Sequence, residues 1–365
     1  MTENAGRKIN NRITVFSFIL SVLVVYLHAK NVNSYGLIKG TSFAHDFVIN
    51  FEWFISDNVA KGAVPGFFML SGLLFYKSFD MSLYKNKMLS RFNSLVIPYL
   101  CWNVLRLFYA LFIRNVMLVC DEKLVVDLNM LLNSIFLYKF NQGYWYMFQL
   151  ILYVFLCPFV YALIKNKWAG IVSLALLFTV NMWPGLPEKV PVLLTDSFFF
   201  YMLGSYLGRF FFDIISKEPK WPVVSGGVLF VLSQFSMYFY MKTDFILYYF
   251  LFCLTIVCSL FILTAMIKNV KLPVWMSFSF FIYSLHGTIL ESAEQLLSGI
   301  FPRLARFALL EYIILPVFAI FVIVLIGTFL KNKLPFVWKL LNGVRQQKKE
   351  NKKRGFKDAD LQANV

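Results

Sequence analysis

Two histidines lie inside strongly apolar sequence: His28 in the run 13–30 and His286 in the run 274–296. The chain has only three histidines in 365 residues, so most of its imidazole sits where hydrocarbon solvates it poorly. An ionisable group in such a place is costly and marks a functional site by default. Imidazole titrates near working pH and can take a proton from a hydroxyl. At ~1.5 Å per residue, His28 lies ~22 Å and His286 ~18 Å along their helices. Both runs are expected to cross in the same direction, so the two rings could meet at similar depth.

Other polar groups in apolar sequence extend the candidate chemistry. Arg106 is a cation well inside the run 95–114. It could contact a phosphate or a thioester oxygen, or pair with an acid such as Asp196 or Glu291. Glu291 and Glu294 follow His286 by five and eight residues. Only the eight-residue spacing returns near the same helical face, so a local Glu291–His286 pair is not favoured. Ser71 could bond a substrate or its own helix. Cys101, Cys120, Cys157, Cys253 and Cys258 show no paired spacing, and neither a disulfide framework nor a metal site is expected.

The elements that must position these groups are membrane helices. The chain is 59% hydrophobic and 15% charged, with a mean hydropathy of +0.67, which no ordinary soluble domain matches. A span needs ~20 apolar residues. Candidate spans fall near 13–30, 62–78, 95–114, 143–164, 168–184, 193–213, 221–241, 244–267, 274–296 and 308–331. The expected fold is therefore all-α and polytopic, with about ten transmembrane helices in one membrane domain over 1–343. The first run lacks a small-residue cleavage site after it and is expected to stay as an anchor.

Lys and Arg concentrate in alternate connections, among them Lys77, Lys85, Lys87, Arg91, Lys165, Lys167 and Lys217. That bias puts them, and both termini, in the cytoplasm. The net charge of +16 is then mostly topological, and nucleic-acid binding is the wrong inference from it. The tail 344–365 is a basic cytoplasmic run, expected to be disordered and able to lie on anionic lipid.

Two outer connections are long. The first, 31–61, contains the amphipathic stretch 43–55; the second, 115–142, contains the apolar stretch 128–137. Both could lie in the interface as surface helices, or simply cover the domain. The second span carries Pro65, Gly66 and Gly72 within apolar sequence, which predicts broken backbone packed centrally or lining a cavity, or plain close helix packing.

Taken in order, these segments resemble the membrane acyltransferase type 3 family. The first span ends in His28-Ala29. Pro65-Gly66-Phe67-Phe68-Met69-Leu70-Ser71-Gly72 matches its Pro-x-Phe-Phe-x-x-Ser-Gly pattern. Arg91 to Trp102 resembles its loop-to-span motif, and Tyr144-Trp145-Tyr146-Met147 its aromatic span start. Ser279-Phe280-Phe281-Ile282-Tyr283-Ser284-Leu285-His286 matches its Ser-x-x-Ile-Tyr-x-x-His signature, and Leu334-Pro335 with Leu341-Asn342-Gly343 resembles the ending of one branch. There are departures. Ser17 stands eleven positions before His28, where the family carries Arg or Lys, and Phe148-Gln149 replaces a basic–acidic pair.

The resemblance implies an O-acyltransferase in a cell membrane, the bacterial cytoplasmic membrane being the expected one. It would move an acyl group, most simply acetyl, from cytoplasmic acyl-CoA to a hydroxyl of an envelope polysaccharide or lipid-linked sugar. The donor is a substrate; no permanently bound cofactor and no metal are expected. His28 would be the base, and His286 would orient a substrate or bind the acyl carbonyl. Ser71, Arg91, Arg106, Trp145, Tyr283 and Glu291 would contact substrates. A transporter or flippase of a small or lipid-linked substrate, or a non-catalytic membrane sensor, also fits buried ionisable residues in many spans.

Overall fold

Helix formation follows the apolar runs, and the computed structural model describes residues 3–116, 124–183, 194–267, 270–297 and 302–343. Cys120 and the basic tail 344–365 lie outside the described residues. Helix α1, Glu3–His28, has no Pro, and its one Gly lies in the first turns, so it runs unbroken to its final residue. Phe16, Leu20 and Val24, four apart, form its buried stripe.

Helix α2 takes in much of the expected outer loop 31–61 and runs on through the second apolar run without a break at Pro65. Phe43–Tyr76 is one continuous helical segment. Ser42 caps its start by accepting from the His45 N–H at 3.2 Å. The segment is π-helical over Trp53–Val59 and 3₁₀-helical over Ala60–Gly62, then α-helical over Ala63–Tyr76. The irregularity therefore precedes Pro65, whose missing N–H falls where the α pattern is only beginning. Glu52 does not ride on a surface helix: it is buried and accepts from the Asn31 N–H at 3.2 Å.

Helix α3, Met81–Asn115, carries π-helical turns over Phe92–Val96 and from Phe112 onward. Helix α4, Leu128–Phe136, is capped by Asp127 and packs on α3, where Tyr99 donates to the Phe136 carbonyl and Asn103 to that of Ile135. Helices α5, Trp145–Phe155, and α6, Cys157–Leu163, meet at 67°. Pro158 in the first turn of α6 withholds the donor that would have continued α5. There follow α7 (Lys167–Met182), α8 (Thr195–Phe210), α9 (Pro222–Thr243), α10 (Ile246–Leu263), α11 (Ser279–Leu297), α12 (Ala305–Lys333) and α13 (Pro335–Asn342).

The described residues are helical without strands, and the chain is a multi-pass membrane protein. Among the described residues, six helices are long and apolar enough to cross, or seven if α5 and α6 form one bent span. The described parts of the other stretches read as spans are mostly helical as well. At 16 residues each, α7 and α8 cover ~24 Å, short of ~30 Å of hydrocarbon. Helix α11 carries His286, Glu291 and Glu294. Apolar side chains such as Val224, Val228 and Phe235 on α9, and Val317, Phe321 and Leu325 on α12, point outward, as lipid-facing stripes do.

The centre is the crossing of α2 and α8. A Cβ at Gly204 would strike the Met69 carbonyl, one at Gly208 the Leu73 carbonyl, and one at Gly72 the Tyr201 carbonyl. The two backbones touch directly, the small-residue packing that replaces the hydrophobic drive inside lipid. This is the role of Gly72, which the sequence left open between a broken span and packing. Against this crossing pack Tyr153, Tyr201, Phe200 and Phe68, all buried.

Candidate active site

The two apolar-run histidines meet. Their ring centroids lie 5.2 Å apart, with planes tilted by 46°. They differ in setting. His28 ends α1 rather than lying inside a span, and its ring is accessible within a cavity. His286 is 5% exposed, and its Nδ1 lies 2.6 Å from the Tyr283 carbonyl, one helical turn earlier. That contact fixes the His286 ring.

The cavity around them has a volume of about 560 Å³. It opens at the face of the bundle where α1 ends, called here the distal face. Its polar wall comes from Arg106, Arg114, Lys139, Ser284, Thr288 and Glu291. Arg106 reaches in from α3 and ties three elements together. Its Nε donates to the Phe140 carbonyl at 2.9 Å and its Nη1 to the Thr288 hydroxyl at 3.1 Å. Its Nη2 forms an ion pair with Glu291. Of the two partners the sequence offered Arg106, Glu291 is the one in contact. The five-residue spacing from His286 turns Glu291 toward α3.

A second cavity, about 420 Å³, opens at the opposite, proximal face. Ser17, Ser71, Lys87, Arg91, Tyr146 and Tyr283 contribute to its wall. Ser71 does not bond back to its helix: its hydroxyl lies 3.3 Å from that of Tyr146. Arg91 packs over the Phe75 ring at 5.3 Å. Ser17 donates to the Ile13 carbonyl at 2.9 Å and leaves its position in this wall without a cation. Arg12 does not substitute for one. It is buried, donates to the Lys217 carbonyl at 3.1 Å and stacks over Phe261 at 4.5 Å.

The expected site residues therefore divide. His28, His286, Arg106 and Glu291 surround the distal cavity, Ser71 and Arg91 the proximal one, and Tyr283 lines both. Trp145 lines neither; it packs against Phe68, with centroids 6.3 Å apart. Its neighbours Tyr144 and Tyr146 take the cavity positions, Tyr144 in the distal wall and Tyr146 in the proximal one. The aromatic motif announced the segment, but one residue of helical phase decided which rings face inward. Gln149 is buried and accepts from the Leu194 N–H at 3.2 Å, a structural contact. Cys101, Cys157, Cys253 and Cys258 are free thiols. Among the described residues, no group of three or more His, Cys, Asp or Glu is placed to hold a metal.

A base accessible in one polar cavity, with a fixed guanidinium on the same wall, can activate a hydroxyl and stabilise an oxyanion. A separate cavity with basic side chains at its wall can take an anionic donor. Compared with known families, residues 10–331 match the family described as an acyltransferase domain. No curated protein and no solved structure gives a significant match.

Proposed function

The chain belongs to the acyltransferase type 3 family, and from that membership we propose that it is an O-acyltransferase working across the membrane. The donor is acyl-CoA, most simply acetyl-CoA, entering the proximal cavity from the cytoplasm. The acceptor is a hydroxyl of an envelope polysaccharide or lipid-linked sugar, bound in the distal cavity. The observation that carries this reading is the accessible His28 ring in a polar cavity, backed by His286 at 5.2 Å.

The chemistry follows from those groups. The acceptor oxygen attacks the thioester carbonyl carbon as His28 takes the hydroxyl proton. The new C–O bond gives a tetrahedral oxyanion beside Arg106, whose three contacts hold its charge in place without reorganisation. The C–S bond then breaks. The CoA thiolate leaves with the proton returned from His28, and the ester remains on the acceptor. His286 does not need to move a proton; it braces His28 from a buried position fixed by the Tyr283 carbonyl.

The test is consumption of acetyl-CoA by membrane vesicles carrying the full chain, followed as free thiol. His28→Ala should lower the rate by ~10²–10⁴-fold, the usual worth of a positioned base. An unchanged rate overturns His28 as base.

A further inference from the structure

The two cavities lie at different depths along the same helices. Ser17 precedes His28 by eleven residues on α1, and Ser279 precedes Glu291 by twelve on α11; the first of each pair lines the proximal cavity and the second the distal one. Tyr283 lines both. It is 7% exposed, and its ring stands edge-on between two other tyrosines. Tyr144 on the distal side is 5.7 Å away at 70°, and Tyr146 on the proximal side is 5.6 Å away at 73°. The Tyr283 hydroxyl donates to the Gly143 carbonyl, which itself lines the distal cavity.

We propose that Tyr283 is the septum between the two cavities and sets the size of the acyl group that crosses from one to the other. The chain-length part rests on the acyl-transfer reading; the septum does not. A thioester whose CoA end stays on the proximal side must bring its carbonyl to ~3–3.5 Å from the attacking oxygen near His28. Only the acyl end has to pass the tyrosine layer. The Tyr283 ring fills that layer, and its hydroxyl bond to Gly143 latches it. A short acyl group passes when the ring swings from Gly143. A longer chain must share the passage with the ring, and a packed interior resists that. The bond between the Tyr283 carbonyl and His286 Nδ1 ties the same residue to the histidine pair, so Tyr283 acts as a positioning and selecting residue rather than a reacting one.

Two readouts separate the septum from the acyl chemistry. The first uses purified full-length protein in liposomes that enclose a pH-sensitive dye. After an external acid jump, Tyr283→Ala and the milder Tyr283→Leu should leak protons at least ~10-fold faster than wild type. Tyr283→Phe, which keeps the ring, should stay within ~2-fold, as should Trp145→Ala, which removes a neighbouring ring from neither cavity wall. All variants must elute as wild type before comparison. Absence of a leak in both Tyr283→Ala and Tyr283→Leu overturns the septum.

The second readout is thiol release from acetyl-, butyryl- and hexanoyl-CoA in envelope membrane vesicles. Tyr283→Leu should shift the hexanoyl-to-acetyl rate ratio upward by ~10-fold. A leak without that shift overturns the chain-length role. A leak in the variants with no thiol release from any thioester by wild type overturns the acyl-transfer reading and leaves the septum standing.

Discussion

His28 and His286 face each other with ring centroids 5.2 Å apart, one accessible at the end of α1 and one buried in α11. Two imidazoles so close cannot readily both carry charge, because like charges at short range oppose each other. The buried ring is already committed to the Tyr283 carbonyl, so the accessible one is free to exchange a proton with a substrate. This asymmetry gives the pair distinct consequences on substitution. His28→Ala should abolish thiol release to within the ~10²–10⁴-fold worth of a base. His286→Gln should lower kcat by a smaller factor, about 10-fold, because it disturbs the bracing of His28 and leaves the base itself in place. Equal losses in the two variants would contradict the division of roles.

Arg106 should tolerate no cationic replacement. Its three contacts need a planar fork reaching Phe140, Thr288 and Glu291 at once. Arg106→Lys should cost about 2 kcal/mol of stability through lost charge-assisted bonds, and most of the activity. Glu291→Gln should be milder, because the Glu291 side chain is 51% exposed and water can replace part of the pair. Melting curves of purified protein in detergent check the order; Glu291→Gln falling below Arg106→Lys would contradict it.

The helix crossing gives a paired test of packing. Gly204→Val should destabilise by about 3 kcal/mol or fail to fold, because its side chain meets the Met69 backbone. Gly227→Ala, on α9 with open space around it, should be neutral or stabilise by about 0.5–1 kcal/mol. Thermal aggregation midpoints of the two variants decide it; a tolerated Gly204→Val would remove the crossing as the centre of the fold.

Restoring a cation at position 17 should strengthen donor binding. Ser17 lines the proximal cavity, and Arg12 is held away by Lys217 and Phe261. Ser17→Arg should lower the KM for acetyl-CoA by about 10-fold at low salt, about 1.4 kcal/mol, with kcat little changed. Added salt should erase much of the gain. A KM unmoved at low salt would place the donor elsewhere.

Much of this was legible in the residues, for definite reasons. His28 and His286 stood out because apolar sequence makes an imidazole conspicuous, and the helices followed from the same runs. The caps at Ser42, Asp127 and Asn166 are the residue types that start helices, and each accepts from a first-turn N–H. The continuity of α2 was hidden because Pro65 and its glycines look like a break, whereas the backbone adjusts upstream by π and 3₁₀ turns. Of the partners of Arg106, Glu291 was one of two acids the sequence offered, whereas the Phe140 carbonyl and the Thr288 hydroxyl were hidden because they come from distant parts of the chain. The choice of Tyr146 over Trp145 turned on helical phase, which an all-apolar segment does not reveal. The division into two cavities with Tyr283 between them depends on how α5 and α11 pack, and no local pattern encodes it.

The most direct measurement is the acyl content of envelope glycans, read by mass spectrometry in three strains: a deletion, the deletion carrying the wild-type chain, and the deletion carrying His28→Ala at equal expression. Acyl transfer through His28 predicts an acyl mass restored by the wild-type chain and absent with His28→Ala. Equal restoration by both would contradict the role of His28, and no acyl difference between deletion and wild type would contradict glycan acylation itself.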